Sequence, residues 1–274
     1  MKLTLIEFFA ETAVKFSANT AVVDGDRTIT FGALDEKARM LASVLVEKTG
    51  SKNKPIAMFL PKCIEAVQTD LAITYSGNAY MNLDVKNPAE RLSNILALIQ
   101  PVAIVTNSRY LKLIEPIAGK NIVVINLDEL EEKEAPSQTY FFDRNKDLID
   151  TDPYCIINTS GSTGTPKGVV LNHKSFIDFM AQTFDEYNFN EKDVIGSLSP
   201  VIFDIWSYEL CMLQGRGASI VVIPETYSAF PVKILQLMQQ TKVSYIFWVP
   251  TIMVNIANMG LLDSVKLPDL RVCW

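Results

Sequence analysis

Apolar and polar residues along the first half of the chain form short blocks whose spacing changes from one block to the next. Two apolar blocks at 21–23 and 28–31, with the turn Asp24-Gly25-Asp26 between them, predict a β-hairpin. Residues 89–99 carry apolar side chains at i, i+3, i+4 and i+7, the spacing of a helix that packs one face on a sheet. The other predicted elements of this half are helices at 1–11, 32–46 and 64–75 and strands at 56–59, 79–83, 102–105 and 121–125.

The second half of the chain repeats this alternation. Its predicted helices are 175–187, 205–213, 232–240 and 251–258, and its predicted strands are 154–157, 169–171, 194–198, 218–223, 244–248 and 270–273. Strands that alternate with helices pair in parallel, because each helix carries the chain back along the sheet. The pattern therefore predicts an α/β fold with a largely parallel sheet.

Residues 127–153 interrupt the alternation. Five carboxylates between 128 and 134 make the beginning of this segment acidic, and a polar run to Asp152-Pro153 follows. Such a charge run is typical of a solvated surface connection. We therefore expect an N-terminal α/β subdomain at 1–150 and a second α/β subdomain at 151–274, between which strands can still be exchanged.

Composition limits the classes of function. The 274 residues, 49% hydrophobic and 20% charged, can form a large core and are unlike a disordered chain. A net charge of −6 argues against a nucleic-acid partner. No apolar run reaches the length of a membrane span, and the first residues are unlike a signal peptide. Four scattered cysteines indicate reduced thiols and a cytoplasmic location, and a single histidine excludes a histidine-rich metal site.

The polar stretch Thr159–Gly168 lies between two predicted strands. Gly161, Gly164 and Gly168 permit positive φ and close backbone approach, and successive amides in such a turn form an anion-binding nest. The spacing differs from the Walker pattern, because Lys167 follows Thr-Pro and no hydroxyl residue follows it. A flexible linker is the alternative, but a linker is seldom held between two buried strands. The stretch therefore predicts a triphosphate site.

The run Thr-Ser-Gly-Ser-Thr-Gly-Thr-Pro-Lys-Gly-Val also resembles the phosphate-loop signature of the adenylate-forming superfamily, which includes acyl-CoA synthetases, luciferases and amino-acid adenylation domains. The resemblance implies the large-domain fold of these enzymes, with stacked, mostly parallel sheets and flanking helices. It implies ATP and Mg²⁺ as cofactors and a catalytic role for Lys167, which would offset charge on pyrophosphate. The implied nucleotide-binding residues are Thr159, Ser160, Gly161, Ser162, Thr163, Gly164 and Lys167.

Two further segments, 28–34 and 77–92, resemble the first two core motifs of amino-acid adenylation domains. Asn82 stands where that family usually has proline. Neither segment has an evident chemical role, and we expect both to pack as strand and helix. In the same family a histidine often stands at the start of the helix after the phosphate loop, and we expect a hinge or cap role for His173.

Residues 203–209, Phe-Asp-Ile-Trp-Ser-Tyr-Glu, place one carboxylate among apolar neighbours. Asp204 is costly to desolvate unless it is satisfied, and from the residues alone a helix N-cap explains it. The segment also resembles the FDxSxxE-type motif of amino-acid adenylation domains, in which the aspartate receives the substrate's α-ammonium group. Trp206 differs from the small residue common at its position. The resemblance implies a substrate pocket formed by Asp204, Ile205, Tyr208 and Phe247.

Together these resemblances imply ATP-dependent activation of an amino acid as aminoacyl-AMP for transfer to a carrier-protein thiol. D-alanine–carrier-protein ligases and nonribosomal peptide synthetase adenylation domains act in this way. Bulky residues in the implied pocket favour a small substrate such as alanine, glycine or serine. Motifs that hold adenine and ribose in the family, and its small C-terminal domain, have no counterpart here, so we expect an incomplete large domain that is inactive alone.

Two other functions stay open. An acyl-CoA ligase would use CoA as its acceptor, and Asp204 would only cap a helix. A non-catalytic nucleotide-binding or scaffold protein would bind nucleotide without turnover.

Overall fold

The structure is a computed structural model and describes residues 2–131, 133–160 and 166–274. Side chains that accept hydrogen bonds from helix amides mark several helix starts, such as Thr30 before α2, Asn107 before α5 and Asn172 before α7. The α-helices are α1 (Leu5–Lys15), α2 (Phe31–Thr49), α3 (Ile64–Tyr75), α4 (Ala89–Ile99), α5 (Ser108–Ala118), α6 (Gln138–Arg144), α7 (His173–Glu186), α8 (Asp204–Arg216), α9 (Pro231–Gln240), α10 (Pro250–Asn258) and α11 (Leu261–Ser264). Short 3₁₀ helices cover Leu127–Glu129 and Glu225–Ala229.

The strands form two six-stranded sheets. Sheet A has the order β12-β11-β9-β10-β1-β2, and sheet B has the order β6-β5-β3-β4-β7-β8. Neighbouring strands are parallel except in the hairpins β1–β2 and β7–β8. The strands are β1 (Thr20–Asp24), β2 (Arg27–Thr30), β3 (Pro55–Met58), β4 (Ala79–Asn82), β5 (Ala103–Thr106), β6 (Val123–Asn126), β7 (Pro153–Ser160), β8 (Pro166–Asn172), β9 (Val194–Ser197), β10 (Ser219–Val222), β11 (Tyr245–Ile246) and β12 (Val272–Cys273).

Helices fill the space between the two sheets and cover their outer faces. Alternate residues of a strand face opposite sides, so Ile56 of β3 belongs to the central core while Ala57 packs with α4 and α5 outside sheet B. On sheet A, Ile220 of β10 faces the central core and Val221 packs with α9 and α10. Helices α3 and α8 are buried along most of their length, because they lie between the sheets.

Three α-helices were not predicted from the sequence: α5, α6 and the four-residue helix α11. Helix α5 buries Ile114 and Ala118, and Pro116 within it weakens the helical signal. Helix α6 lies inside the segment predicted as a solvated connection, and its Phe141 is fully buried against Tyr75, with ring centroids 5.3 Å apart. The prediction for 127–153 is therefore wrong at 138–144, where one aromatic side chain returns to the core.

Both sheets contain strands from both halves of the chain. In sheet A, β1 pairs with β10, with Val22 opposite Ile220. In sheet B, β4 pairs with β7, with Tyr80 opposite Cys155. The two halves of the chain therefore exchange strands, and a division into subdomains at residue 150 stays a prediction.

Candidate active site

The hairpin β7–β8 carries the predicted phosphate-binding segment. Both strands extend beyond their predicted bounds, and Thr159 lies opposite Lys167 in the ladder, with both side chains exposed. Ser160 ends β7, and its side chain lies outside the described part of the chain. The other predicted nucleotide contacts, Gly161, Ser162, Thr163 and Gly164, lie outside the described residues, as does the predicted amide nest.

Gly168 has a packing role that differs from the predicted one. It lies within β8, opposite Asn158, and is not among the glycines with positive φ. A Cβ atom at this position would stand 2.4 Å from Cδ1 of Ile99 and 3.1 Å from Cγ2 of Ile156. Close approach of α4 therefore explains this glycine, and the positive φ that a glycine permits is not used here.

A cavity of about 340 Å³ opens beside the start of α8. It brings together all four predicted substrate-contacting residues, which come from α8 and from the segment after β11. Its lining residues are Leu171, Ser175, Phe176, Phe179, Asp204, Ile205, Tyr208, Phe247 and Trp274. The cavity is mostly apolar, and its single carboxylate is Asp204.

Asp204 is the first residue of α8, and Phe203 occupies the N-cap position. The Asp204 carboxylate accepts a hydrogen bond of 3.0 Å from the amide of Ile205 and is exposed to solvent. The N-cap prediction is thus wrong by one position, and the expected desolvation cost is absent. A carboxylate in the first helical turn is stabilised as an anion by the helix dipole.

Aromatic side chains form one wall of the cavity. Tyr208 is buried and contacts Phe247 edge-to-face, with ring centroids 5.0 Å apart. Phe247 stacks on Trp274 at 5.1 Å. Trp274 is held by its amide, which donates to the carbonyl of Ile246 at 3.0 Å. No pattern along the chain indicates the contribution of Trp274, because β12 approaches Phe247 only through the pairing of β11 with β12.

A buried lysine was also missed. Lys62 is 8% exposed, and its ammonium group donates hydrogen bonds to the carbonyls of Ser197 and of Ser199, the latter at 3.2 Å. Burial lowers the pKa of Lys62 to about 8, while the charge of Glu209 opposes this shift. Burial also raises the pKa of Glu209, a residue of α8, to about 7. A lysine inside an apolar run was the signal that could have revealed this site.

The segment that Lys62 holds borders a second cavity of about 280 Å³. This cavity shares Asp204, Ile205 and Phe247 with the first, so the two cavities adjoin at these residues. Ser199 and Phe203 are among its other lining residues. The segment between β9 and α8 therefore helps to shape both spaces.

His173 is the first residue of α7, but Asn172 is the N-cap and accepts from the amide of Ser175 at 2.9 Å. The imidazole is buried, and its Nδ1 accepts a hydrogen bond of 3.2 Å from the amide of Leu5, the first residue of α1. His173 therefore caps helix α1, and not helix α7, at whose start it stands. Burial lowers the pKa of His173 to about 4.

The described residues contain no group of three or more His, Cys, Asp or Glu side chains that could hold a metal ion. Within the same part of the chain, no helix combines the length and apolar character needed to cross a membrane.

Residues 9–274 match the profile of a family described as AMP-binding enzyme. The chain belongs to the AMP-binding enzyme family. The match covers the hairpin β7–β8 and the start of α8, and so it includes both predicted subsites. The predicted resemblance to adenylate-forming enzymes is confirmed at the level of this family.

Curated relatives in the AMP-binding enzyme family include large peptide synthetases. The dimodular nonribosomal peptide synthase of Bacillus subtilis (strain 168) is 30% identical over an alignment 275 residues long, which covers 98% of this chain and 11% of the relative. Gramicidin S synthase 1 of Brevibacillus brevis is 29% identical over 265 residues, 96% of this chain and 24% of the relative. The delta-poly-L-ornithine synthetase of Acinetobacter baumannii (strain AB307-0294) is 26% identical over 269 residues, 98% of this chain and 19% of the relative. The chain spans a quarter or less of these proteins.

Solved structures confirm the predicted stacked α/β fold. The nonribosomal peptide synthetase FmoA3, in its alpha-methyl-L-serine-AMP bound form, has a TM-score of 0.86 at 23% identity. The match covers 99% of this chain and 30% of FmoA3. VinN has a TM-score of 0.82 at 16% identity, over 100% of this chain and 68% of VinN.

Proposed function

We propose that this chain binds ATP and a small amino acid and activates the amino acid as aminoacyl-AMP. The observation that carries the proposal is the single cavity lined by Asp204, Ile205, Tyr208 and Phe247, in which one carboxylate faces an otherwise apolar space. An apolar pocket with few polar groups is the usual form of a small-molecule site. A fatty acid would need no anion at this position, whereas an α-ammonium group would.

Asp204 would hold the α-ammonium group of the substrate. It lies in the first turn of α8, and its exposure leaves it open to a ligand. A charge-assisted hydrogen bond of this kind contributes about 1.5–3 kcal/mol. The aromatic wall of Tyr208, Phe247 and Trp274 limits the space for the side chain, which favours a compact substrate such as alanine, glycine or serine.

The end of the hairpin β7–β8 would hold the β- and γ-phosphates of ATP. Thr159 and Lys167 lie opposite each other and are exposed there, so a hydroxyl and an ammonium group can face the same anion. Mg²⁺ prefers oxygen ligands, and the phosphate oxygens of ATP would supply some of them. When bound, the ion supplies charge neutralisation on the phosphate oxygens.

The reaction itself needs little covalent work from the protein. A carboxylate oxygen of the amino acid attacks the α-phosphorus of ATP, and the bond from this phosphorus to the pyrophosphate oxygen breaks. Asp204 would fix the amino acid for this in-line attack, and Lys167 would offset the charge that develops on pyrophosphate. The acceptor in the next step, in which AMP leaves, would be a carrier-protein thiol. A cytoplasmic location stays a prediction.

Amino-acid-dependent ATP–pyrophosphate exchange by the full-length protein tests this proposal. We expect exchange with one small amino acid, and we expect Asp204→Asn to reduce kcat/KM for that amino acid by roughly 10- to 100-fold. Asp26→Asn is the matched control, because Asp26 is an exposed aspartate in the β1–β2 turn.

Other outcomes would point to the alternative functions. Exchange that depends on a fatty acid and is unchanged in Asp204→Asn would identify an acyl-CoA ligase. Nucleotide binding without exchange, over amino and fatty acids alike, would identify a non-catalytic protein. Either result would overturn amino-acid activation.

A further inference from the structure

A buried carboxylate lies beneath the start of α8. Asp70 of α3 is 1% exposed, and its Oδ2 accepts hydrogen bonds from Nε1 of Trp206 at 2.7 Å and from Nδ2 of Asn82 at 2.9 Å. No lysine or arginine in the described part of the chain forms an ion pair with it. A buried anion without a cation costs stability, so two hydrogen bonds alone are a weak reason for its presence.

The two donors to Asp70 are the two positions at which the chain departs from the motifs it resembles. Asn82 stands in place of a usual proline, and Trp206 stands in place of a usual small residue. The structure joins these separate departures through one carboxylate. Replacing either donor would leave Asp70 with a single partner, and so the three residues form one unit.

This unit holds both ends of a short segment. Asn82 also donates from Nδ2 to the carbonyl of Val201 at 3.1 Å, in the connection between β9 and α8. Trp206, which is fully buried, lies in the first turn of α8. Between these two anchors lie Phe203 and Asp204, both exposed and both lining a cavity.

The anchor also fixes the rotation of α8 about its axis. Successive residues of an α-helix are turned by about 100°, so Trp206 projects roughly opposite to Asp204 and Tyr208. An indole held at a directional hydrogen bond on the core side therefore sets where the carboxylate and the phenol point on the cavity side. Apolar packing of a leucine or phenylalanine would bury this turn without fixing its angle.

We propose that Asp70 is a positioning residue for the amino-acid site: through Trp206 and Asn82 it fixes residues 201–206 so that Asp204 faces the substrate cavity. The proposal rests on the proposed function for the identity of the ligand, and on the hydrogen bonds above for the positioning itself. Asp70 makes no contact with substrate in this proposal. Replacing Asp70 should therefore weaken amino-acid binding and leave ATP binding unchanged.

The test is steady-state ATP–pyrophosphate exchange by the full-length protein with the variant Asp70→Leu, which removes both carboxylate oxygens and puts an apolar side chain of similar length in their place. We expect KM for the amino acid to rise about tenfold and KM for ATP to stay within about twofold. Asp70→Asn keeps one acceptor oxygen and should recover much of the loss. Asp35→Leu is the control, because Asp35 is a buried carboxylate of α2 that bonds Arg39 and Tyr75 instead.

A double-mutant comparison covers the case in which Asp70→Leu does not fold. Trp206→Phe removes the indole donor and keeps an aromatic ring. It should raise KM for the amino acid in the same direction as Asp70→Leu. The small loss that Asp70→Asn causes in wild type should shrink in the Trp206→Phe background, since the indole that the charged acceptor holds is then absent. Equal rises in both KM values, or additive effects of the two variants, would overturn the proposal.

Hydrogen exchange of the amides of 203–206 separates this proposal from the proposed function. We expect faster exchange there in Asp70→Leu than in wild type or Asp35→Leu. Unchanged protection at these amides would overturn the positioning role, whatever the activity. If wild type shows no exchange with any amino acid while the protection still falls, the proposed substrate is wrong and the role of Asp70 in holding the start of α8 stands.

Discussion

The two exposed charges of the candidate site, Asp204 and Lys167, are opposite in sign and belong to different subsites in the proposed function. Both are solvated in the free protein, and water weakens their interactions. A substrate that displaces this water would strengthen both. Asp204 and Lys167 would thus lose their water when the ligand binds. Lys62 and Asp70 are buried, and so they lose their water when the chain folds.

Removal of the ammonium group at the end of β8 should weaken ATP binding selectively. We expect Lys167→Gln to raise KM for ATP by about tenfold, because a lost charge-assisted contact to phosphate corresponds to roughly 1.4 kcal/mol. KM for the amino acid should change little. The measurement is ATP–pyrophosphate exchange at varied ATP, with Lys192→Gln as a control for loss of an exposed lysine. An unchanged KM for ATP would contradict a phosphate contact at this position.

Some residues of the candidate site could be predicted from the sequence, and others could not. Asp204, Ile205 and Tyr208 stand within one motif, so a resemblance along the chain was enough to name them. Trp274 and Phe179 meet them only because β12 and α7 approach α8 in the folded chain. Sequence spacing carries no information about such an approach.

At the scale of elements, β8 and α4 are in close contact at Gly168. A side chain added there would overpack the region between Ile99 and Ile156. We expect Gly168→Ala to lower the free energy of unfolding by about 1–3 kcal/mol, as measured by denaturant unfolding.

A second substitution shows whether this contact is the cause. Ile99→Val removes the Cδ1 atom that the new methyl group would meet. The double variant should therefore recover part of the stability lost in Gly168→Ala, although Ile99→Val alone costs about 0.5–1.5 kcal/mol. Strictly additive losses would show that the strain lies elsewhere.

Element prediction succeeded where one physical signal dominated. Helix α4 has the predicted bounds, because its apolar residues recur on one face and its ends are marked by Pro88 and Gln100. Helix α6 was missed because a single buried residue, Phe141, holds a short helix within a mostly polar segment. One apolar side chain gives no periodicity, so only the folded structure reveals it.

At the scale of the whole molecule, the beginning of the chain is tied to its second half. The hydrogen bond from the amide of Leu5 to Nδ1 of His173 links α1 to α7. It requires an unprotonated Nδ1, and burial already disfavours the imidazolium form. The first residues of the chain therefore pack against residues of its second half.

The buried imidazole of His173 should make the free energy of unfolding depend on pH. The pKa of His173 falls from its ordinary 6.5 to about 4 in the folded state, so the unfolded state binds a proton that the folded state excludes. The free energy of unfolding should fall as pH decreases from about 6.5 to 4, by up to about 3 kcal/mol from this group. Above pH 6.5 the group contributes no pH dependence.

The matching variant is His173→Gln, whose carbonyl oxygen can accept from Leu5 but does not titrate. Denaturant unfolding at pH 7 and pH 4 should show a smaller loss on acidification than in wild type. The comparison between the two proteins cancels the opposite effect of Glu209, whose pKa is raised to about 7. Parallel losses in the two proteins would contradict the assignment to His173.

The pairing of β1 with β10 determines when sheet A can be completed during synthesis. On the ribosome the hairpin β1–β2 emerges early, and the edge of β1 that pairs with β10 stays open until residue 220 or so has been made. At about 5–20 residues per second this wait lasts roughly 10–40 s. Strand β4 has a shorter wait of the same kind, because its second neighbour, β7, begins at Pro153. The nascent chain thus exposes the unpaired edge of β1 while the residues between β2 and β10 are made, and that edge is where a chaperone or a second nascent chain would bind.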